Sequence, residues 1–509
     1  MKSPDAPPVT PSRPEPTGLA PDSVIAIDGP AGSGKSTTAR ALARAFGLLY
    51  VDTGAMYRAL TWAALEAGVS PADARRLGEL LRAARLELRP GETEALVLWD
   101  GRDVSAAIRT PAVEAAVSAV SAHGEVRRQM VERQRALGRS GGVVMEGRDI
   151  GSAVFPLATV KLYLDATPEA RAGRRARQHQ QRGLAVDRAA VAADLAARDR
   201  LDSGRAESPL TIPVDAAVLD TSPWDLEQQI DHALATARAL ATLRLPHPVP
   251  PEIRTRDLPE RHRLVFAFFG ALGRFYGLRV YGREHFDLEG GVIIAPNHLS
   301  LWDPLILGAT LQRAPVNTLA KAELFRFPLS GAVLRWIDTI PIQRRGFDAT
   351  AFQAAVARLD AGEAVAVFPE GTRRPTGRPG PVRSGLGILM QRSGAPTVPI
   401  FLRGTTRLSP GGSPAAPLEV RYAPAVRLHA LPALRARCDE REICGRIATL
   451  FQAIYAEMQA RSWAERPQTD EERIAGEAAV RRCDAREARI FGRRRPAPPD
   501  GGGPPAGTA

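Results

Sequence analysis

The stretch Gly29-Pro30-Ala31-Gly32-Ser33-Gly34-Lys35-Ser36-Thr37 has the spacing G-x-x-x-x-G-K-S. Ser23–Ile27 before it runs apolar, as a buried strand does. Thr38–Phe46 after it is Ala-rich with helical spacing. Strand, glycine loop and helix together are the context a phosphate-binding P-loop requires. Glycines let backbone N–H groups converge on phosphate oxygens without Cβ clashes, and the helix N-terminus adds the positive end of its dipole. Residues Gly29 to Thr37 are thus expected to surround the polyphosphate of ATP. Lys35 would lie on the β- and γ-phosphates and act in catalysis, and Ser36 on Mg²⁺. The chain has only four lysines, at 2, 35, 161 and 321, and arginine supplies every other cation. A lysine kept inside this loop suits a point-charge role that a planar guanidinium fills badly. The competing reading is a chance glycine turn, and the motifs that accompany the loop make it the weaker one.

A chain of 509 residues exceeds one hydrophobic core, so several domains are expected. Its net charge of +12 favours anionic partners: nucleotides, nucleic acid or phospholipid head groups. No polynucleotide-binding motif is present, so nucleic acid is not expected as a partner. Cys438, Cys444 and Cys483 match no zinc spacing, and a reducing cytoplasm fits them. Residues 1–22 are Pro-rich without an apolar stretch and read as a disordered tail, not a signal peptide. No run of about 18 apolar residues occurs, so no bilayer-spanning helix is expected.

From residue 23 to 240 strands alternate with helices, the pattern of an α/β domain with a parallel sheet and helices on both sides. Strands are expected at 23–28, 48–51, 142–146, 159–164 and 216–220. Between the second and third lies an insertion. Its segments 86–89 and 95–99 can pair as strands, Asp100-Gly101 signals a hairpin turn, and one helix is expected from Pro111 to Leu137. Residues 241–258 hold the Pro-rich linker Leu245–Pro251. A second α/β region follows over 259–465. Residues 466–490 read as a charged helical tail, and the Arg, Pro and Gly runs beyond Arg493 as disorder.

Arginines crowd the first region. Arg58 ends Asp52-Thr53-Gly54-Ala55-Met56-Tyr57-Arg58, and Arg148 lies in Glu146-Gly147-Arg148-Asp149-Ile150-Gly151. Both follow strand ends, where ligands of such sheets bind. An Arg-dense helix holds Arg171, Arg174, Arg175 and Arg177. Phosphoryl transfer needs cations around two mutually repelling polyphosphates, and the arginine fork binds phosphate oxygens bidentately. Taken together, GPAGSGKST, DTGAMYRA, RTPAV, EGRDIG and SPL make residues 23–240 resemble bacterial cytidylate kinase. The resemblance implies a P-loop nucleoside monophosphate kinase fold with an inserted CMP-binding subdomain, using ATP and Mg²⁺ to phosphorylate CMP or dCMP. It implies that Thr53, Tyr57, Arg58, Ser118, Arg127, Arg148, Asp149, Asp202 and Arg205 surround CMP. Arg174 and Arg175 would be catalytic residues of a lid that closes on ATP. Glu146 stands where that family often has Asp.

The second region centres on Ile293-Ile294-Ala295-Pro296-Asn297-His298-Leu299-Ser300-Leu301-Trp302-Asp303-Pro304. On a continuous helix His298 and Asp303 would lie about 140° apart. They meet only if the chain turns between them, as a strand-to-helix junction allows. His298 can then take a proton from a hydroxyl while Asp303 fixes its tautomer. Ala364–Phe368 reads as a buried strand ending in Pro369-Glu370-Gly371-Thr372-Arg373, which offers backbone donors and a guanidinium to a phosphate. Ile340-Pro341-Ile342-Gln343-Arg344 and Val398-Pro399-Ile400 add two more strands. In this order, these blocks are similar to the glycerolipid acyltransferases, 1-acyl-sn-glycerol-3-phosphate acyltransferase above all. The resemblance implies acyl transfer from acyl-CoA or acyl-carrier protein to lysophosphatidic acid, giving phosphatidic acid. His298 and Asp303 would be catalytic. Arg344, Glu370, Gly371, Thr372 and Arg373 would bind the acceptor.

A lipid acceptor requires a membrane approach. Leu264, Phe268, Leu272 and Phe275 recur at helical spacing with arginines beside them, as on an interfacial helix over anionic lipid. A helix packed on the domain core fits the same spacing. The expectation is a bifunctional cytoplasmic enzyme with peripheral contact on the inner face of the cell membrane. The alternative keeps the acyltransferase and makes the kinase-like domain a non-catalytic nucleotide sensor.

Overall fold

The computed structural model describes residues 19–89, 96–181, 187–205, 208–244 and 260–469, apart from 287, 289, 312–315, 327, 337–338, 344–347, 375–377 and 409–416. The chain divides into two compact α/β units: Met1–Pro246 with Arg427–Ala453, and His247–Val426 with Ile454–Ala509.

In the first unit β1 (Val24–Asp28) leads into α1 (Lys35–Phe46), then β2 (Leu49–Asp52), α2 (Thr53–Glu66) and α3 (Ala74–Ala83). A small antiparallel sheet of β3 (Leu86–Arg89), β4 (Leu96–Trp99) and β5 (Arg102–Asp103) follows. Asp100, at φ 50°, turns the chain between β4 and β5, where the Asp-Gly pair signals a hairpin. Next come α4 (Pro111–Ala122), α5 (Gly124–Leu137), β6 (Val143–Gly147), β7 (Val160–Asp165), α6 (Pro168–Gln181), α7 (Arg188–Ser203), β8 (Ala217–Asp220) and α8 (Leu226–Arg244). The five expected strands form one parallel sheet in the order β2-β6-β1-β7-β8, each bounded within a residue of its expected limits. Ile25, Ile27, Leu42, Val144, Leu162 and Leu164 pack its core. The single helix expected over 111–137 is two. His123 leaves the helical region at ψ 124°, and its Nε2 lies 2.8 Å from the Pro71 carbonyl. The contact with that distant loop accompanies the break, and Gly124 follows it directly.

The second unit contains α9 (Glu260–Phe275), β9 (Arg279–Tyr281), β10 (Val292–Pro296), α10 (Asp303–Leu311), β11 (Val316–Lys321), α11 (Pro328–Trp336), β12 (Ile340–Ile342), α12 (Ala349–Asp360), β13 (Ala364–Ala366), α13 (Ser384–Ser393), β14 (Thr397–Arg403) and β15 (Glu419–Tyr422). Its seven-stranded sheet runs β12-β11-β13-β10-β14-β15-β9, with only β14 and β15 antiparallel. Every residue of β10 is buried, as a central parallel strand requires.

The helices α14 (Leu431–Arg435) and α15 (Glu440–Glu465) end the described chain. Sequence reading placed 259–465 in the second domain, but Arg427–Ala453 is part of the first compact unit. There the Ala430 N–H donates to the Val214 carbonyl at 3.1 Å, and Arg437 pairs with Asp165 at 2.7 Å. The Pro-rich linker and the tail from 470 onward lie outside the described residues. Among the described residues no helix is long and apolar enough to cross a membrane.

Candidate active sites

The P-loop leaves the carboxyl end of the central strand β1. Gly29, Gly32 and Gly34 hold φ of 147°, 80° and 89°. A Cβ on Gly29 would lie 2.1 Å from the Leu164 carbonyl oxygen, and one on Gly34 2.3 Å from Gln229. Only glycine fits both the torsion and the space. Pro30 offers its carbonyl to Lys35 Nζ at 2.6 Å and to Ser33 Oγ at 3.0 Å. Ala31 accepts from Arg171 at 3.2 Å. Ser36 and Thr37 open α1. Burial, with Arg148 next in weight, pushes the Lys35 ammonium down to about 7. An anion seated in the cradle would restore that charge.

Glu146, at the end of β6, is buried and accepts from Tyr50 at 2.6 Å and from Ser36. Burial, then the nearby Asp52 charge, raises its carboxyl above the usual range. The described residues hold no cluster of three or more His, Cys, Asp or Glu that could cage a metal alone. Ser36 with Glu146 fits Mg²⁺ instead, an ion that keeps most of its shell for water and phosphate oxygens.

Of the expected CMP residues, Arg148 and Asp202 lie within electrostatic reach of Lys35, and most of the others link to them through ion pairs and hydrogen bonds. Thr53 donates to the Glu146 carbonyl at 2.7 Å, and Arg58 pairs with Asp52 at 2.7 Å. Arg127 lies over the Tyr57 ring, 5.6 Å from its centroid, and pairs with Asp149 at 2.5 Å. Arg148 pairs with Asp202 at 2.9 Å, and Arg205 bonds to Asp202 and to Ser121. Ser118 lies on α4, with its carbonyl accepting from Ser121. Asp28 accepts the N–H groups of Ile150 and Gly151 at 2.8 and 2.7 Å, which fixes the loop after Arg148. Burial pushes the Asp28 carboxyl up to about 6.

The two expected lid arginines diverge. Arg174 donates to Thr221 Oγ1 at 2.9 Å, and Thr221 Oγ1 is 3.3 Å from the Ser33 carbonyl, so Arg174 borders the P-loop. Arg175 instead binds both oxygens of Glu114 at 2.9 Å. Two partners are not marked by any sequence motif, Thr221 and Gln229, and the pairing of Asp199, in the Arg198–Arg205 stretch, is new. Gln229 is buried and donates to Thr38 at 2.7 Å, and Asp199 pairs with Arg171. Thr221 follows the carboxyl end of β8, a placement that could have flagged it. Nothing local marks Gln229.

In the second unit β10, the central strand, delivers His298 just past its carboxyl end. Asn297 is fully buried and acts as a backbone mimic, with Nδ2 donating to Leu402 O at 3.1 Å and Oδ1 accepting from Leu402 N at 2.6 Å. The chain then turns, as the spacing required. His298 Nδ1 meets Asp303 Oδ2 at 2.7 Å. The same oxygen accepts the N–H groups of Leu299 and Ser300 at 2.6 and 2.8 Å. With Nδ1–H held there, Nε2 keeps the lone pair that a base needs. Phe368 stacks on the imidazole at 4.0 Å.

The turn after β13 is tied to this histidine. Glu370 accepts the His298 N–H at 3.1 Å, and the Arg374 N–H donates to the His298 carbonyl at 2.5 Å. Burial pushes Glu370 up to about 7, against the His298 and Gly380 N–H groups. Gly371 holds φ 64°, with Arg383 donating to the Glu370 carbonyl beside it. Thr372 and Arg373 continue the same turn and are half-buried; Arg344 lies outside the described residues. On α9, Phe268 and Phe275 are 63% and 83% exposed, while Phe269 packs against Trp302 at 5.8 Å. The side chain of Leu264 lies outside the described residues.

Known proteins match both regions. A family model described as cytidylate kinase matches residues 25–239, and one described as acyltransferase matches 277–403. A bifunctional pantoate ligase/cytidylate kinase of Synechococcus sp. (strain CC9902) is 51% identical over 211 residues, 41% of this chain and 44% of that protein. The chain thus spans under half the length of these bifunctional relatives. A cytidylate kinase of Shouchella clausii (strain KSM-K16) is 45% identical over 210 residues, 41% of this chain and 93% of that protein. The solved 1-acyl-sn-glycerophosphate (LPA) acyltransferase PlsC of Thermotoga maritima aligns at 22% identity with a TM-score of 0.31, covering 40% of this chain and 84% of that one. The glycine cradle, its ring of arginines and these matches agree: the chain belongs to the cytidylate kinase family through residues 25–239 and carries an acyltransferase-family domain over 277–403.

Proposed function

We propose that the chain is a bifunctional enzyme that phosphorylates CMP or dCMP with ATP and transfers an acyl group from a thioester to lysophosphatidic acid. For the first activity the supporting observation is Lys35, buried in the glycine cradle with Arg148 close enough to depress it. The γ-phosphate of ATP lies by Lys35. Arg58, Arg127, Arg148 and Arg205 each keep their carboxylate partner and offer further N–H groups, Nε of Arg58, Arg127 and Arg205 among them, to the phosphate of CMP. Ser36 and Glu146 would hold Mg²⁺, which would supply positive charge against the phosphate oxygens. Arg174, beside the P-loop through Thr221, braces the transferring group.

For the second activity the supporting observation is the 2.7 Å contact between His298 and Asp303. Nε2 removes the proton of the acceptor hydroxyl as that oxygen attacks the thioester carbonyl. Asp303 stabilises the imidazolium that forms, and the proton leaves with the thiol. A base so placed contributes about 10²- to 10⁴-fold in rate. Gly371, Thr372 and Arg373, with Arg344, receive the acceptor phosphate. The exposed Phe268 and Phe275 support a peripheral seat on anionic membrane, and the net charge of +12 favours it.

The purified chain is assayed with ATP and CMP, then with acyl-CoA and lysophosphatidate. Lys35→Ala is expected to silence only the first reaction and His298→Ala only the second. Binding of CMP without turnover in the wild-type chain would refute the kinase half.

A further inference from the structure

The carboxylate of Asp303 is gripped from two directions. Oδ2 accepts from His298 Nδ1, Leu299 N and Ser300 N, and Oδ1 accepts from Ser300 Oγ at 3.1 Å. These donors all belong to residues 298–300, the loop from β10 to α10. The other grip comes from Thr405, 102 positions along the chain, whose Oγ1 also donates to Oδ1. Asp303 and Thr405 are both fully buried.

The route that brings Thr405 there is rigid. β14 pairs with β10, and the Asn297 side chain extends that pairing to Leu402. Gly404 then turns the chain at φ 76°, where a Cβ would lie 2.1 Å from the Pro417 carbonyl oxygen. Thr405 opens the short 3-10 turn Thr405–Leu408 directly after it. It lies two positions beyond the span matched by the acyltransferase family.

We propose that Thr405 is a positioning residue for His298. Its hydroxyl refers the Asp303 carboxylate to the sheet rather than to its own loop, and Asp303 in turn aims the imidazole. A carboxylate torsion is broad and about two-fold, so donors that move with the loop leave the imidazole free to swing with it. A base that is present but misaligned loses rate without losing substrate binding. This inference rests on the acyltransferase reading of the site.

The test uses the full chain with Thr405→Val, which keeps shape and removes the hydroxyl, and Thr405→Ser, which keeps the hydroxyl. Thr405→Val is expected to lower kcat for lysophosphatidate acylation roughly tenfold, the scale of one hydrogen bond to a charged group, with KM unchanged for both substrates. Thr405→Ser is expected to return most of the rate. A packing role predicts the reverse order, and that order would overturn the proposal. A second readout does not depend on acyl transfer. In protein carrying ¹⁵N-labelled histidine, the His298 Nδ1–H resonance, assigned by its loss in His298→Ala, should move in Thr405→Val and return in Thr405→Ser. That shift in a chain that fails to acylate lysophosphatidate would uphold the positioning role and reject the acceptor assignment. An unmoved resonance overturns the proposal, whatever the rates.

Discussion

Lys35 shows how burial converts a common side chain into a responsive one. Its ammonium, ordinarily at 10.5, is held at about 7 by loss of water and by the Arg148 charge. Between these values the native state carries fewer protons than the unfolded chain, so without nucleotide this group makes stability rise with pH. Phosphate anions against Nζ reverse the effect. At pH 8, ATP binding is therefore expected to take up close to one proton, and affinity to fall as pH rises above 7. Calorimetry in two buffers of different ionisation enthalpy measures this, and Lys35→Met should abolish it. No uptake at pH 8 in the wild-type chain would contradict the account. His298 and Asp303 were readable as a pair because a strand-to-helix junction lets them meet and because the Glu370 turn and the neighbouring strands follow in order. Gln229 and Thr405 were not, because each reaches its partner across 191 and 102 positions with no local pattern to announce it.

At the scale of elements, the strands were legible because they are short apolar runs between glycine- and aspartate-rich turns, and the three inner strands β6, β1 and β7 are buried almost throughout. The helix over 111–137 was misread as continuous because its helical spacing persists through His123. His123 leaves helical geometry beside its contact with Pro71, and helix periodicity does not encode that departure. On α9 the apolar spacing fitted a core helix and an interfacial helix equally. Phe268 and Phe275, one heptad apart, are exposed, whereas Phe269 packs inward on Trp302. A joint Phe268→Ser and Phe275→Ser change is expected to weaken binding to vesicles of anionic phospholipid by tenfold or more, since burying one large apolar side chain is worth about 1.5–3 kcal/mol. Co-sedimentation measures it. Unchanged partitioning would return this helix to a role inside the protein.

At the scale of the whole molecule, the first compact unit is not one continuous stretch. Arg427–Ala453 returns to it, with the Ala430–Val214 hydrogen bond and the Arg437–Asp165 ion pair among its ties. Residues 1–246 expressed alone are expected to unfold at least about 2–4 °C below the CMP-sensitive transition of the full chain, the shift that 1 kcal/mol gives in a domain of this size. Arg437→Ala in the full chain should change little, because an exposed ion pair is worth only about 0–1 kcal/mol. Equal melting temperatures would show that the returning segment contributes nothing. The amino-acid sequence by itself determined two α/β regions, a phosphate cradle and a histidine–aspartate pair, because these rest on local spacing and on residue types with narrow physical uses. Tertiary structure alone decided which carboxylate each arginine faces, that Glu370 is tied to the His298 backbone, and that Thr405 reaches Asp303. Those contacts depend on strand order and on turns that join distant segments, and local spacing carries no information about either.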